Sequence, residues 1–371
     1  MPRNTGSVAS SDQSWLKLYA AVAVLPLALA ACGGGGGGSP TAPLTPTPSP
    51  APTPAPTPAP TPTPTPPAPA PSPTVGTTWT NVSVSGAGNL TAVDYGNGHF
   101  VAVSDTGAAI TSTDAVAWTP VIPLTSNVGT DHLKAYAVTH LGTTLVAAGA
   151  VSPAPYSTST GAVATSTDGA TWTMGSLPAG ATPIHAVIAG TRLVGLGEGG
   201  HLYFSTNGSS WSVLTTLNSG VTTLNAGTYG NGDYVGVGDN GYIIESGDSI
   251  AWGSAKVITV GGVGVNLHGV AWNGSVFVAV GDNGTISTSP NGTAWSALKT
   301  SAISGTLRSV SAASNGTIVV VGDNGIETSS DNGNTWTAHN ESGVAALFGS
   351  TFGNGEFVAV GSASAVKTST N

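Results

Sequence analysis

The chain is short of cysteine, of charge and of long apolar runs. A single Cys among 371 residues excludes an intrachain disulfide and any metal site built from clustered thiolates. Charged residues make up 7%, against about 25% in an average soluble domain, so a function resting on dense ion-pair or basic surfaces is excluded. Eight Lys and Arg stand against 17 Asp and Glu, a net charge of −9, which repels phosphate backbones and removes nucleic acid from the partners. The seven His are scattered without His-x-x-x-His spacing, and there is no Walker loop and no Gly-x-Ser-x-Gly elbow. Neither a metal nor a cofactor is therefore expected. What the chain has in abundance is glycine, 53 residues, and proline, 26 residues.

The first 31 residues read as an export segment. Arg3 and Lys17 precede an apolar run over residues 18–31, 14 residues long, too short for a spanning helix of about 20 but suited to a signal-peptide core. It ends Leu29-Ala30-Ala31-Cys32, which resembles the lipobox of bacterial lipoproteins. That resemblance implies cleavage before Cys32, a thioether to diacylglycerol on its sulfur and acylation of the new amine. Several acyl chains on one residue anchor far more firmly than one. Gly33 in place of Asp implies, by the enterobacterial pattern of that family, the outer membrane.

Residues 32–75 read as a lipidated Cys followed by a linker. Six glycines are succeeded by a stretch of Pro, Thr, Ala and Ser that holds 17 of the 26 prolines. It has too little apolar surface to offset its ordering entropy and too few amide donors for helix or sheet. Extended polyproline II at about 3.1 Å per residue would let it reach on the order of 110 Å from the bilayer.

Residues 76–371 repeat. Boxes such as Ser166-Thr167-Asp168-Gly169-Ala170-Thr171-Trp172 and Ser205-Thr206-Asn207-Gly208-Ser209-Ser210-Trp211 recur, with Trp at 118, 172, 211, 252, 295 and 336, spaced 54, 39, 41, 43 and 41 residues apart. Units of about 40 residues with several strands each indicate propeller blades. Within a unit, alternating stretches such as Phe277-Val278-Ala279-Val280 are followed by Gly281-Asp282-Asn283-Gly284, a half-buried strand and a turn whose residues tolerate positive φ. The boxes resemble the Asp-box of sialidase-type propellers, Ser-x-Asp-x-Gly-x-x-Trp; only the copy at Ser329 has that spacing. The rhythm Leu-x-x-Val…Val-Gly-x-x-Gly-x-Ile also resembles photosystem II assembly-factor propellers, which implies a non-enzymatic binding scaffold.

The ends supply the blade count. The chain stops at Ser369-Thr370-Asn371, half a box, and Gly76-Thr77-Thr78-Trp79 is the other half. Joined, they predict that the N-terminal strand completes the last blade. The expected fold is all-β, a seven-bladed propeller of four-stranded antiparallel blades, acting as a monomer.

The box residues Asp114, Asp168, Asn207, Asp248, Asn291, Asp331 and Asn371 are read as structural, since Asn substitutes for Asp and a charge-dependent catalyst would not allow that. The box Trp is expected to fill the gap between blades. Sialidases clamp the substrate carboxylate with three arginines; this region has Arg192 and Arg308 only, so that activity is excluded. Two sets of positions fall on the opposite face. Asp105, Glu198, Asp239, Asp282 and Asp323 follow the second strand and read as turn chemistry. The slot after the first Leu of the inner strand holds Thr91, Tyr136, His185, Asn225, His268, Arg308 and Phe348, diverse where packing would impose uniformity. Tyr136, His185, His268, Arg308 and Phe348 are the binding candidates, because aromatic residues and Arg are frequent anchors. Residues 151–161 lengthen the corresponding turn of the second blade and offer a further place for a selective contact. The expected function is a membrane-anchored envelope lipoprotein whose propeller binds protein or glycan without catalysis; the alternative is a glycoside hydrolase or lyase.

Overall fold

The chain divides into Met1–Pro67 and Ala68–Asn371. A computed structural model describes residues 76–124, 132–151, 159–217, 220–253, 256–339 and 345–369, all within the second unit. The export segment, Cys32, the Pro-rich stretch, Asn371 and the centre of the 151–161 insertion lie outside the described residues.

Seven four-stranded antiparallel sheets follow one another along the chain. Their innermost strands are Leu90–Gly96, Lys134–Leu141, Ile184–Ala189, Leu224–Gly230, Leu267–Trp272, Leu307–Ala312 and Leu347–Gly353, which number blades 1 to 7. No α-helix occurs among the described residues. The seventh blade is completed by Trp79–Val82, which pairs antiparallel with Val366–Ser369 in the register Trp79 with Ser369 through Val82 with Val366. The two chain ends therefore close the ring as the split box predicts. Closure leaves no open sheet edge between first and last blade.

The core is distributed over seven clusters, each shared by neighbouring blades. Val101 and Val103 of blade 1 pack with Leu145 and Ala147 of blade 2, and Val358 and Val360 of blade 7 pack with Phe100 and Ile110 of blade 1. Second strands such as Phe277–Gly281 are buried throughout, because a middle strand is covered on both faces and reads as a continuous apolar run. The box tryptophans are not equal. Trp79 and Trp211 are buried, 8% and 6% exposed, whereas Trp118, Trp172, Trp252, Trp295 and Trp336 are not fully buried. Trp172 is partly buried and packs against the core cluster shared by blades 1 and 2.

Candidate functional site

The meander from inner to outer strand within each blade puts the turns between first and second strands and the boxes on one face, here the lower one. The turns between second and third strands and the entries to the inner strands then lie on the upper face. At or next to the start of each inner strand stands a buried residue, Leu90, Ala135, Ile184, Leu224, Leu267, Leu307 or Leu347. The next residue is the slot, and in all seven blades the pairing of the first two strands shifts there. The register skips Thr91, Tyr136, His185, Asn225, His268, Arg308 and Phe348. Each slot residue is thus a β-bulge, an extra residue with no partner opposite, a device that re-aims a side chain. The seven slot residues line one cavity of about 200 Å³ at the centre of the ring.

The bulged side chains are held by the carboxylates of the upper turns. His185 Nε2 meets Glu198 at 3.1 Å, Asn225 Nδ2 donates to Asp239 at 2.9 Å, His268 Nε2 meets Asp282 at 2.7 Å and Arg308 Nε donates to Asp323 at 2.6 Å. Sequence reading separated the slot from the turn carboxylates; the structure joins them into one unit in blades 3 to 6. Neighbouring slots also touch. The rings of Tyr136 and His185 stack at 5.0 Å and 9°, and Arg308 lies 5.5 Å over the Phe348 ring. Thr91 Oγ1 donates to the Ala135 carbonyl at 2.7 Å and Asn225 Nδ2 to the Leu267 carbonyl at 3.0 Å, each in the next blade along the chain. Burial, followed by the charges of Glu198 and Asp105, raises the Tyr136 phenol above its ordinary value, so two carboxylates act on that hydroxyl across blades 1 to 3. The mouth is a preorganised rim of aromatic, imidazole and amide groups backed by acids, and Arg308 is the permanent cation among the seven slots.

The lower face is built differently. Asp168 Oδ1 accepts the N–H groups of Ala170 and Thr171 at 2.9 and 2.8 Å, and Asn207 Oδ1 accepts those of Ser209 and Ser210, both at 3.0 Å. Asp114, Asp248 and Asn291 accept equivalent pairs. In the longer box, burial raises Asp331, but hydrogen bonds from Thr335 N–H, the Thr335 and Ser329 hydroxyls and Asn334 N–H outweigh it and hold the carboxyl at about 2. The oxygen is what the turn uses, not its charge, which is why Asn serves equally. The residue after it has positive φ whether it is Gly169 at 70°, Ala115 at 57° or Ser249 at 63°. In several boxes its carbonyl accepts the Trp ring N–H, as Gly169 does from Trp172 at 2.8 Å.

The two arginines lie at opposite ends. Arg192 Nε donates to Ser249 Oγ in the fourth-blade box at 2.6 Å, while Arg308 lines the channel, so they form no common clamp. Glu198 stands three residues before His201 in sequence but hydrogen-bonds to His185. Among the described residues no group of three His, Cys, Asp or Glu is placed to hold a metal ion. Two features escaped sequence reading. One is the bulge, since nothing in Leu-x-(Ala/Gly/Ser)-Val distinguishes an extra residue from a regular one. The other is a hairpin, Thr259–Val260 with Val263–Gly264, outside the seven blades; its Gly261-Gly262 loop between valines is the sequence mark that would have found it.

Residues 246–371 match the family described as the DUF6242 beta propeller domain. No curated protein matches the sequence. Among solved structures, YCF48 bound to D1 peptide is 14% identical, with a TM-score of 0.62, covering 79% of this chain and 97% of its own. YCF48 from Cyanidioschyzon merolae gives 14%, 0.61, 78% and 98%. A catalytically inactive virginiamycin B lyase from Staphylococcus aureus, with quinupristin, gives 10%, 0.65, 79% and 99%. At these identities the likeness shows the fold alone.

Proposed function

We propose that the chain is an envelope lipoprotein whose propeller binds a segment of another protein at the upper channel mouth. Cys32 is its acylated anchor and the Pro-rich stretch its spacer. The observation that carries the binding reading is the sevenfold bulge. The same backbone irregularity presents seven side chains of six kinds to one cavity, and in four blades a carboxylate fixes the side chain so presented. Groups held in place before binding lose little entropy on complex formation. A likeness in fold to a propeller that takes a peptide, YCF48 with the D1 peptide, supports a polypeptide rather than a glycan as the first ligand to try.

The test is capture from envelope extract with wild type and with Tyr136→Ala, His185→Ala, His268→Ala, Arg308→Ala and Phe348→Ala. Losses of roughly tenfold are expected at the strongest anchors; unchanged capture by all five variants removes the channel mouth from consideration. For the anchor, radioactive palmitate should label wild type and not Cys32→Ser, and equal labelling of both would end that part of the reading.

A second reading, a lyase, is favoured by the His268–Asp282 and His185–Glu198 pairs, since a carboxylate that orients an imidazole prepares a general base. The propeller fold is shared with a lyase described as catalytically inactive when one histidine is replaced by alanine. Quinupristin incubated with the chain and followed by mass spectrometry separates the two readings. Unaltered quinupristin supports binding alone; conversion that His268→Ala abolishes supports the lyase.

A further inference from the structure

The hairpin Thr259–Val260 and Val263–Gly264 belongs to no blade. It stands on the connection from blade 4 to blade 5, which the meander places on the upper face. Its loop residues Gly261 and Gly262 have φ of 59° and 85°, the pair of positive values a two-residue type I′ loop requires. It is seated hard on the rim: a Cβ at Gly264 would lie 2.2 Å from the Asn240 carbonyl oxygen, in the turn that carries Asp239. The hairpin nonetheless exposes its apolar side chains, Val263 at 70% and Val260 at 47%. Val257 and Leu298, which flank the adjoining recess beside Trp295, are exposed as well. Scattered exposed valines need no explanation, but several gathered on a rigid projection mark a contact surface.

A recess of about 210 Å³ lies between this hairpin and the rim. Val260, Val263 and Val265 wall one side; Asp282, Asn266 and Asn283 line the other. Asp282 Oδ1 already accepts from His268 and Thr306, and Oδ2 from Asn266. A carboxylate offers about four lone-pair sites, so one remains on Oδ2. An aliphatic wall ending at a carboxylate complements a long apolar stem with a cationic head, the form of a lysine side chain.

We infer that this recess takes a lysine side chain from an extended segment of the partner protein, with apolar neighbours resting on Val260 and Val263. The inference rests on the reading that the upper face binds a polypeptide, and names what that polypeptide carries. Charge favours this occupant over a second copy of the chain. Pairing two hairpins would bring two acidic rims together on molecules of net charge −9, whereas a basic segment is attracted by the same field.

The probes are Ac-Val-Lys-Val-NH2 and its norleucine and glutamate analogues, titrated against the full chain by ligand-observed saturation-transfer NMR. The lysine peptide is expected to bind at least tenfold more tightly than the norleucine peptide, and the glutamate peptide to give no transfer. Val260→Ser with Val263→Ser should weaken lysine-peptide binding at least fivefold with the melting midpoint unchanged, because the hairpin adds no strand to a blade. Asp282→Asn should bring lysine and norleucine peptides to equal affinity. Equal binding of lysine and norleucine peptides to wild type, or binding of neither, overturns the proposal. A dimer in sedimentation velocity that the valine pair abolishes also overturns it, in favour of a copy–copy contact. The two readings fail separately. Lysine-peptide binding that survives Tyr136→Ala and Phe348→Ala, with envelope capture also unchanged, removes the channel mouth and keeps the hairpin recess. Envelope capture that needs Tyr136 but no lysine-peptide binding does the reverse.

Discussion

The two faces of the ring repeat in opposite ways. On the lower face an oxygen acceptor recurs while its supporting residue varies: Asp168, Asn207 and Asn291 make the same pair of bonds, and Gly169, Ala115 and Ser249 share one backbone conformation. On the upper face the backbone recurs and the side chain varies, since the bulge falls on Thr91, Tyr136, His185, Asn225, His268, Arg308 and Phe348 alike. A turn whose own amides need an acceptor constrains the side chain. A bulge residue, freed from cross-strand pairing, constrains only where the side chain points. Recurrence of residue type thus marks structure here, and recurrence of geometry marks the face where differences can be used.

The comparison breaks most completely at the ring closure, on which both faces depend. Deleting residues 76–84 removes the Trp79–Val82 ladder and a buried Trp; the loss of the ring alone costs about 3–5 kcal/mol, and the thermal midpoint should fall by on the order of 10 °C or more. A midpoint within about 2 °C of wild type would show that the strand does not close the ring. Next come the box tryptophans. Trp211→Ala should cost about 3–5 kcal/mol and Trp172→Ala about half as much, because only the first ring is buried; equal costs in urea unfolding would mean that burial does not set the difference.

The upper face should respond more weakly in stability. Its slot residues are half-buried, and those of blades 3 to 6 are hydrogen-bonded to the turn carboxylates. Arg308→Ala should cost about 0.5–1 kcal/mol, as its bond to Asp323 lies where both side chains are about a third exposed and water screens the pair. A cost above about 2 kcal/mol would place Arg308 among structural groups.

The smallest effect sharpens the account of the box. The folded Asp331 carboxyl titrates at about 2 against an ordinary 3.8. A depressed acid stabilises the fold fully above its unfolded value and loses that contribution as pH falls through its folded value. Wild type should therefore lose more stability than Asp331→Asn between about pH 4 and pH 2, read from urea midpoints. Parallel losses would show that the hydrogen bonds at Asp331 do not favour the charged form.

Much of this was legible in residue order. Asp-Asn-Gly turns, alternating strands and the Trp spacing follow from local chemistry, and Ser369 and Trp79 disclose the closure because a box cut in two is still recognisable. The pairing of His268 with Asp282 was not legible. They are 14 residues apart, and Asp-Asn-Gly explains itself as a turn before any partner is sought. The seating of the hairpin on the turn at Asn240 was equally hidden, since it depends on where two loops end in space.

The sequence by itself determined the all-β class, the sevenfold repeat, the split last blade and the acceptor role of the boxes, because each rests on contacts within a few residues or on the spacing of a repeat. Only the tertiary structure decided which tryptophans are buried, that the slot is a bulge, and that its side chains meet carboxylates and one another around a channel. Those outcomes depend on how seven similar blades pack around one axis: a shift of one residue in pairing, too small to mark in composition or period, turns each slot side chain toward the cavity.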